Sequence, residues 1–278
     1  MKVLSRLTAI AAAALFASAG AAFAGLGQPT PWQLGMQDAA TPVMDQIASF
    51  HNYVLWIITA ITIFVLVLLV IIVVRFNVRA NPTPSRTTHN TLLEIMWTIV
   101  PVAILMAIAV PSFRLLFTEL DVPPVDLTVK ATGKQWYWSY AYPDNGNFEF
   151  DSLIVAEKDL KADQPRLLTV DNEMVVPVNK VVHVLVTGAD VIHSFNVPSF
   201  GIRIDAIPGR INETWFKATI QGTFHGQCSE LCGKDHAFMP ITVRVTDDKG
   251  FAAWATQAKQ KYADGVSAPT TTVAAAQQ

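Results

Sequence analysis

Hydrophobic positions fall along this chain in three unlike ways. Leu7 to Phe16 is a short apolar stretch behind Lys2 and Arg6. Val54 to Val74 is apolar without a break except at Thr59 and Thr62, and Ile95 to Phe113 is a second long apolar segment, interrupted by Pro101 and Pro111. From about Glu119 onward the pattern changes to short runs in which apolar and polar residues alternate. The first stretch is too short to span a bilayer. With its basic flank and the small-x-small pattern Ala22-Phe-Ala24, it predicts a signal peptide over residues 1–24, cleaved after Ala24. The two long stretches predict membrane-spanning helices, over about 54–74 and 95–113. The first would rise roughly 31 Å, the thickness of a hydrocarbon core. Prolines are tolerated in such helices because neighbouring groups re-satisfy the freed backbone.

The alternating region predicts strands at Val125–Lys130, Trp136–Tyr142, Arg166–Val170, Lys180–Val186, Thr214–Ala218 and Ile241–Val245. Turns are marked by Pro143, Gly146, Pro177, Gly188, Pro198, Gly201, Pro208 and Gly222. Many short strands with such punctuation predict a β-sandwich or barrel. A helix is expected near Phe251–Tyr262, and the small, polar residues 263–278 read as a disordered tail. The organisation expected is therefore a signal peptide (1–24), an exported N-terminal segment (25–50), a transmembrane helical hairpin (51–117), an exported β-domain (118–262) and the tail (263–278).

Charge sets the orientation. Arg75, Arg79 and Arg86 lie between the spans, whereas residues 25–53 hold Asp38 and Asp45 and no Lys or Arg. The positive-inside rule places the connecting loop in the cytoplasm and both termini outside, in agreement with the signal peptide. Composition supports a membrane protein, since 51% of residues are hydrophobic and only 15% are charged. The net charge of −2 gives no footprint for nucleic acid.

The chemistry is concentrated near the C-terminus, in Cys228-Ser-Glu-Leu-Cys232-Gly-Lys-Asp-His236-Ala-Phe-Met239, with His193 upstream. In an exported protein two cysteines read first as a disulfide. That reading leaves His236, Met239 and His193 unexplained. Two thiolates, two imidazoles and a thioether form the soft donor set that selects copper. One Cys suffices for a single copper, and the second is what a pair of ions needs as another bridge. A Cys2His2 zinc site also uses these residues, but it gives Met239 no role.

Three motifs resemble cytochrome c oxidase subunit II: the run Gly226 to Pro240, the run Asp190-Val-Ile-His193-Ser-Phe-Asn-Val-Pro198, and Gln135-Trp136-Tyr137-Trp138-Ser139-Tyr140. The resemblance extends from about residue 35 to about residue 260. It implies an α+β membrane protein, a two-helix transmembrane hairpin followed by a cupredoxin-like β-sandwich, in a bacterial inner membrane with the β-domain periplasmic. It implies a dinuclear copper centre bridged by Cys228 and Cys232. His193 and His236 would be terminal ligands, Met239 a weak axial ligand and Glu230 a backbone-carbonyl ligand. The Glu230 side chain would face a magnesium or manganese ion shared with subunit I. Haems are expected only in that partner.

The resemblance also assigns Trp136 as the residue that receives electrons from cytochrome c. Asp144, Asp171 and Asp190 match or neighbour family positions that attract its lysines. Residues 119–262 hold 18 acidic and 14 basic side chains, a weak support for steering. Relatives often have Glu after Trp-Ser-Tyr where this chain has Ala141. The segment His89 to Trp97 resembles the family stretch whose glutamate opens a proton path, which gives Glu94 that role with His89 as a neighbour; a helix cap is the plainer reading. Ordinary sandwich core is the alternative for Trp138. The function implied is electron transfer from cytochrome c to subunit I of a haem-copper oxidase. Quinol oxidase subunits lack these copper ligands. A copper-delivery thiol protein needs neither Met239 nor two spans, and a nitrous-oxide-reductase-like enzyme needs a second catalytic domain. No Cys-x-x-Cys-His is present for covalent haem.

Overall fold

The computed structural model describes residues 27–162 and 164–262. The signal peptide expected over 1–24 and the disordered tail expected over 263–278 lie outside the described residues.

Helix α1 runs Pro42–Arg75, 34 residues, or about 51 Å, well beyond the ~30 Å that a hydrocarbon core requires. The surplus lies at its N-terminal end, where the helix continues outward and docks on the β-domain. Thr41 makes that joint. Its Oγ1 accepts from Met44 N–H at 3.0 Å and donates to Phe200 C=O at 2.8 Å. Pro42 at the first helical position has no N–H to leave unpaired. Val43 and Met44 are buried. Gly201, at φ +70°, lets this end approach: a Cβ there would stand 2.7 Å from Ile47 Cδ1.

Helix α2 runs Thr91–Leu120 and is capped by Asn90, whose side chain accepts from Leu93 N–H at 3.2 Å. Pro111 has no N–H, so the Ala107 carbonyl four residues earlier loses its helical partner. Tyr53 of α1 replaces it, donating its hydroxyl to Ala107 O at 3.2 Å. At the far end, the Trp215 indole N–H donates to Glu119 O at 3.1 Å and ties the last turn to the β-domain. The most apolar stretches of both helices bury nothing within the chain. A surface apolar all round is stable only against lipid or another apolar protein.

The β-domain has a five-stranded sheet of order β3-β2-β1-β5-β8: β1 Leu127–Lys134, β2 Tyr137–Tyr142, β3 Phe148–Ser152, β5 Val181–Gly188 and β8 Asn212–Lys217. Against it lie β4 (Met174–Pro177), β10 (Pro240–Thr246) and β9 (Gly222–Gln227) in one sheet, and β6 (His193–Val197) with β7 (Ile202–Ala206) in another. Neighbours are antiparallel except β1 with β5 and β4 with β10. Burial alternates along β1, so Leu127, Val129 and Ala131 face inward, as a half-buried strand demands. They meet Val182, Val184, Val186, Ile241 and Val243 in one core with Trp138, Tyr140 and Tyr142. Trp138 is wholly buried, edge-on to Phe195 with ring centroids 5.3 Å apart. Helix α3, Asp248–Tyr262, closes one edge.

The strand expected at Arg166–Val170 is absent. Leu167 has φ +65° and Leu168 N–H bonds back to Pro165 O at 3.3 Å, which makes a turn; only Val170 forms an isolated bridge, to Ile154. A left-handed residue cannot continue an extended ladder. Strands β3, β4, β6, β7 and β9 were not marked by alternation alone.

Candidate metal centre

The site lies at one end of the sandwich, between the loop that follows β9 and the first residue of β6. Cys228 comes directly after β9 and Cys232 four residues later. A short 3-10 turn at His236–Phe238 then returns the chain to β10. His193 opens β6 and points inward from the neighbouring two-stranded sheet. Gly226 brings β9 and β6 close, since a Cβ there would overlap the Asn196 carbonyl. The two segments are also joined by Ser229 N–H to Ser194 O at 3.1 Å and by Asn196 Nδ2 to Ser229 Oγ at 2.8 Å.

The donor atoms converge. Cys228 Sγ stands 3.9 Å from Cys232 Sγ and 4.0 Å from His193 Nδ1. Cys232 Sγ is 3.5 Å from His236 Nδ1 and 3.5 Å from Met239 Sδ. The Glu230 carbonyl oxygen is 3.3 Å from Cys228 Sγ, whereas the residue itself is exposed. His193, both cysteines and Met239 are buried, and His236 is half-buried. A disulfide needs about 2.05 Å between sulfurs, so the two thiols are free.

Their protonation follows from these contacts. Burial works against a charged His193, but hydrogen bonds with Cys228 and Asp190 outweigh it and raise its pKa. Burial likewise opposes a Cys228 thiolate; contacts with His193 and the Ser194 and Glu230 backbone overcome that and bring the thiol down to about 7. Cys232 goes the other way, up to about 12, through burial and then the charge of Cys228. A first thiolate makes a second beside it costly unless a cation joins them.

Around the donors is a further layer, of which the sequence reading gave a role only to Trp136. Gly133 leaves room for the His193 ring, because a Cβ there would sit 2.9 Å from its Cδ2. Gln135 Nε2 and Trp136 Nε1 both donate to the Cys232 carbonyl, at 3.0 and 3.1 Å. Gly233, at φ +124°, lies under the indole, and a Cβ would meet Trp136 Cζ2 at 2.8 Å. The only signals for these residues are their places beside Trp136 and Cys232.

Residues 127–246 match the family described as Cytochrome C oxidase subunit II, periplasmic domain, and residues 29–115 match Cytochrome C oxidase subunit II, transmembrane domain. The chain belongs to the cytochrome c oxidase subunit II family. A probable cytochrome c oxidase subunit 2 of Rickettsia bellii is 50% identical over 238 residues, covering 86% of this chain and 88% of its own length. Cytochrome c oxidase subunit 2 of Cereibacter sphaeroides is 47% identical over 252 residues, covering 84% of this chain and 83% of its own length. Among solved structures, the periplasmic domain of subunit II of cytochrome oxidase of Bradyrhizobium japonicum is 71% identical. It covers 51% of this chain and 99% of that one, with a TM-score of 0.49.

As a member of the cytochrome c oxidase subunit II family, the chain is part of an oxidoreductase, a membrane protein with two spanning helices, and its β-domain binds copper. The residues fit that metal. Free thiols beside imidazole nitrogen and thioether sulfur are soft donors of the kind copper prefers, and the mutually close donors of His193, Cys228 and Cys232 are buried from water. The other expected residues are spread out. Asp171 accepts from Leu153 N–H at 2.8 Å, just past the β3 residue Ser152 that pairs with Trp138, at the copper end of the sheet. Asp144 accepts from Thr128 N–H at 2.7 Å. Thr128 is five residues along β1 from Gly133, or roughly 17 Å, so Asp144 is not brought together with the donors. Glu94 lies in the first turn of α2, on the other side of the apolar band.

Proposed function

We propose that the chain is the electron-receiving subunit of a haem-copper oxidase, standing between cytochrome c and the haem of subunit I. Oxygen reduction and proton pumping belong to subunit I. The centre is read as dinuclear, held by Cys228, Cys232, His193, His236, Met239 and the Glu230 carbonyl; two bound coppers supply one-electron acceptance and release. The observation that carries this reading is the pair of facing, unbonded sulfurs with an imidazole nitrogen beyond each. A single electron-transfer copper, which takes one Cys, would leave the second thiolate idle.

The chain's own part is to hold these donors still and to couple them to the surface. Their anchoring to two sheets keeps rearrangement small when charge changes. Trp136 is the surface contact for the donor, and its indole N–H bond to the Cys232 carbonyl leads through that residue's own covalent bonds to its sulfur. The exposed Glu230 side chain is available for a magnesium or manganese ion shared with subunit I. Residues 76–90, with Arg79 and Arg86, form the cytoplasmic loop, which leaves the copper domain periplasmic. Glu94 takes up protons at that inner face; Asn90 already caps α2, which supports a role for Glu94 other than capping.

Electron paramagnetic resonance of the oxidised, copper-loaded protein tests this reading. An electron shared over two copper nuclei gives a multiline hyperfine pattern. Cys228→Ser or Cys232→Ser should abolish it, because one sulfur cannot hold both metals. A single-copper pattern, or zinc found by metal analysis, would refute the dinuclear assignment. Trp136→Gln should slow electron arrival from cytochrome c with copper content unchanged, and an unaltered rate would remove Trp136 from the route.

A further inference from the structure

We propose that the two spanning helices hold a phospholipid whose headgroup carries a primary ammonium beside its phosphate, the chemistry of phosphatidylethanolamine. The site is a cavity of about 480 Å³ between α1 and α2, at the end of the hairpin nearer the β-domain. Residues four apart on a helix stand one above another, so Asp45, Ser49 and Tyr53 make one stripe on α1. Arg114 and Leu115 follow Pro111 by three and four positions and make the facing stripe on α2. The hydrogen bond from Tyr53 to Ala107 O fixes the level of one helix against the other. Counted outward from it at ~1.5 Å per residue, Asp45 lies about 12 Å and Arg114 about 10 Å toward the β-domain. The two charges therefore stand at nearly the same height, just past the apolar segment that ends at Phe113. Among the described residues neither is in an ion pair, with the other or with a third group. Asp45, Ser49 and Arg114 are all exposed.

Charge and depth select the occupant. A guanidinium grips phosphate with a two-pronged fork, and Arg114 follows the apolar segment by one residue, where the polar headgroup region begins. The carboxylate across the groove accepts from an ammonium, and the Ser49 hydroxyl is one turn below it. Phosphatidylglycerol carries a net negative headgroup and would meet Asp45 as a like charge. The quaternary ammonium of phosphatidylcholine has no N–H to donate. Phosphatidylethanolamine supplies both partners in one small headgroup. Below the charges the wall turns apolar, with Phe50, Tyr53, Pro111 and Leu115, which suits the start of an acyl chain. A soluble anion would satisfy Arg114 and leave both Asp45 and this apolar wall unmatched.

The test uses the assembled oxidase containing the full chain, with photoreactive p-benzoyl-phenylalanine in place of Gln46, which also lines the cavity. The oxidase is equilibrated with vesicles of equimolar phosphatidylethanolamine and phosphatidylglycerol, then illuminated. The adduct should have the mass of phosphatidylethanolamine, in excess of the one-to-one composition. Asp45→Asn should cut that preference roughly two- to fivefold, the scale of one partly exposed ion pair. Arg114→Gln should lower the yield of both lipid adducts. Equal labelling by the two lipids, or a preference that Asp45→Asn leaves unmoved, would overturn the proposal. An adduct with a peptide of another subunit would overturn it too, by showing that protein covers the groove. If Arg114→Gln fails to assemble, Asp45→Asn decides alone, with an unaltered copper spectrum as the sign that the chain has folded.

Discussion

At the scale of single residues, small side chains decide as much as ligands do. Gly233 cannot accept a Cβ for two reasons: φ +124° is unfavourable for any other residue, and the added atom would strike Trp136 at 2.8 Å. Gly233→Ala should cost about 1–3 kcal/mol in backbone strain and tilt the indole away from Cys232. Its signature is a lower unfolding temperature together with slower electron transfer from cytochrome c, with the copper donors all still present. Stability and rate both equal to wild type would show that the loop can relax around the methyl group. The donors themselves were readable from Cys228-x3-Cys232-x3-His236-x2-Met239, since spacing and chemistry suffice there. Asp190 was read from the sequence as a docking acid, not as the group 2.9 Å from His193 Nε2. Hydrogen bonds across 55 residues, such as Gln135 N–H to Asp190, leave no local pattern.

At the scale of elements, the helices carry two separable predictions. Tyr53 supplies the hydrogen bond that Pro111 removes from Ala107 O. Tyr53→Phe should leave that carbonyl unpaired at the edge of the apolar band, at a cost of about 1–3 kcal/mol. The expected outcome is a hairpin that detergent or heat separates more easily, with the copper spectrum unaltered; equal stability would mean that the carbonyl finds another donor. At the N-terminal end of α2, Asn90 and Glu94 divide capping from chemistry. Asn90→Ala should cost about 1 kcal/mol of helix stability with normal turnover per haem. Glu94→Ala should lower turnover per haem while copper spectra and cytochrome c docking stay intact. Normal turnover per haem in Glu94→Ala would end the proton-uptake reading. The apolar runs showed where each helix had to lie in lipid, yet α1 starts twelve residues before its run, at Pro42. That extension is held by Thr41, Met44 and Phe200 packing on a β-domain more than 150 residues downstream, so hydropathy could not reveal it.

At the scale of the whole molecule, the acidic excess over residues 119–262 should make association with a basic cytochrome c faster at low ionic strength. The rate should fall as the Debye length shrinks toward ~8–10 Å and below. Stopped-flow association rates across salt check this, and a flat profile would discard steering by the domain's charge. The sequence by itself determined the two apolar spans, the change to a β-domain near residue 120 and the cluster of Cys, His and Met side chains proposed as copper donors. Each of these follows from composition or spacing within a short window, where the local chain already contains the physics. Tertiary structure alone decided that His193 stands 4.0 Å from Cys228, and that the Asp190 carboxylate joins it to the Trp136 turn. It also placed Asp144 at the far part of β1 while keeping Asp171 at the copper end. Those relations depend on strand order and register, with β6 laid beside β9 and β1 beside β5, and the burial that selects such pairings acts between segments rather than within them.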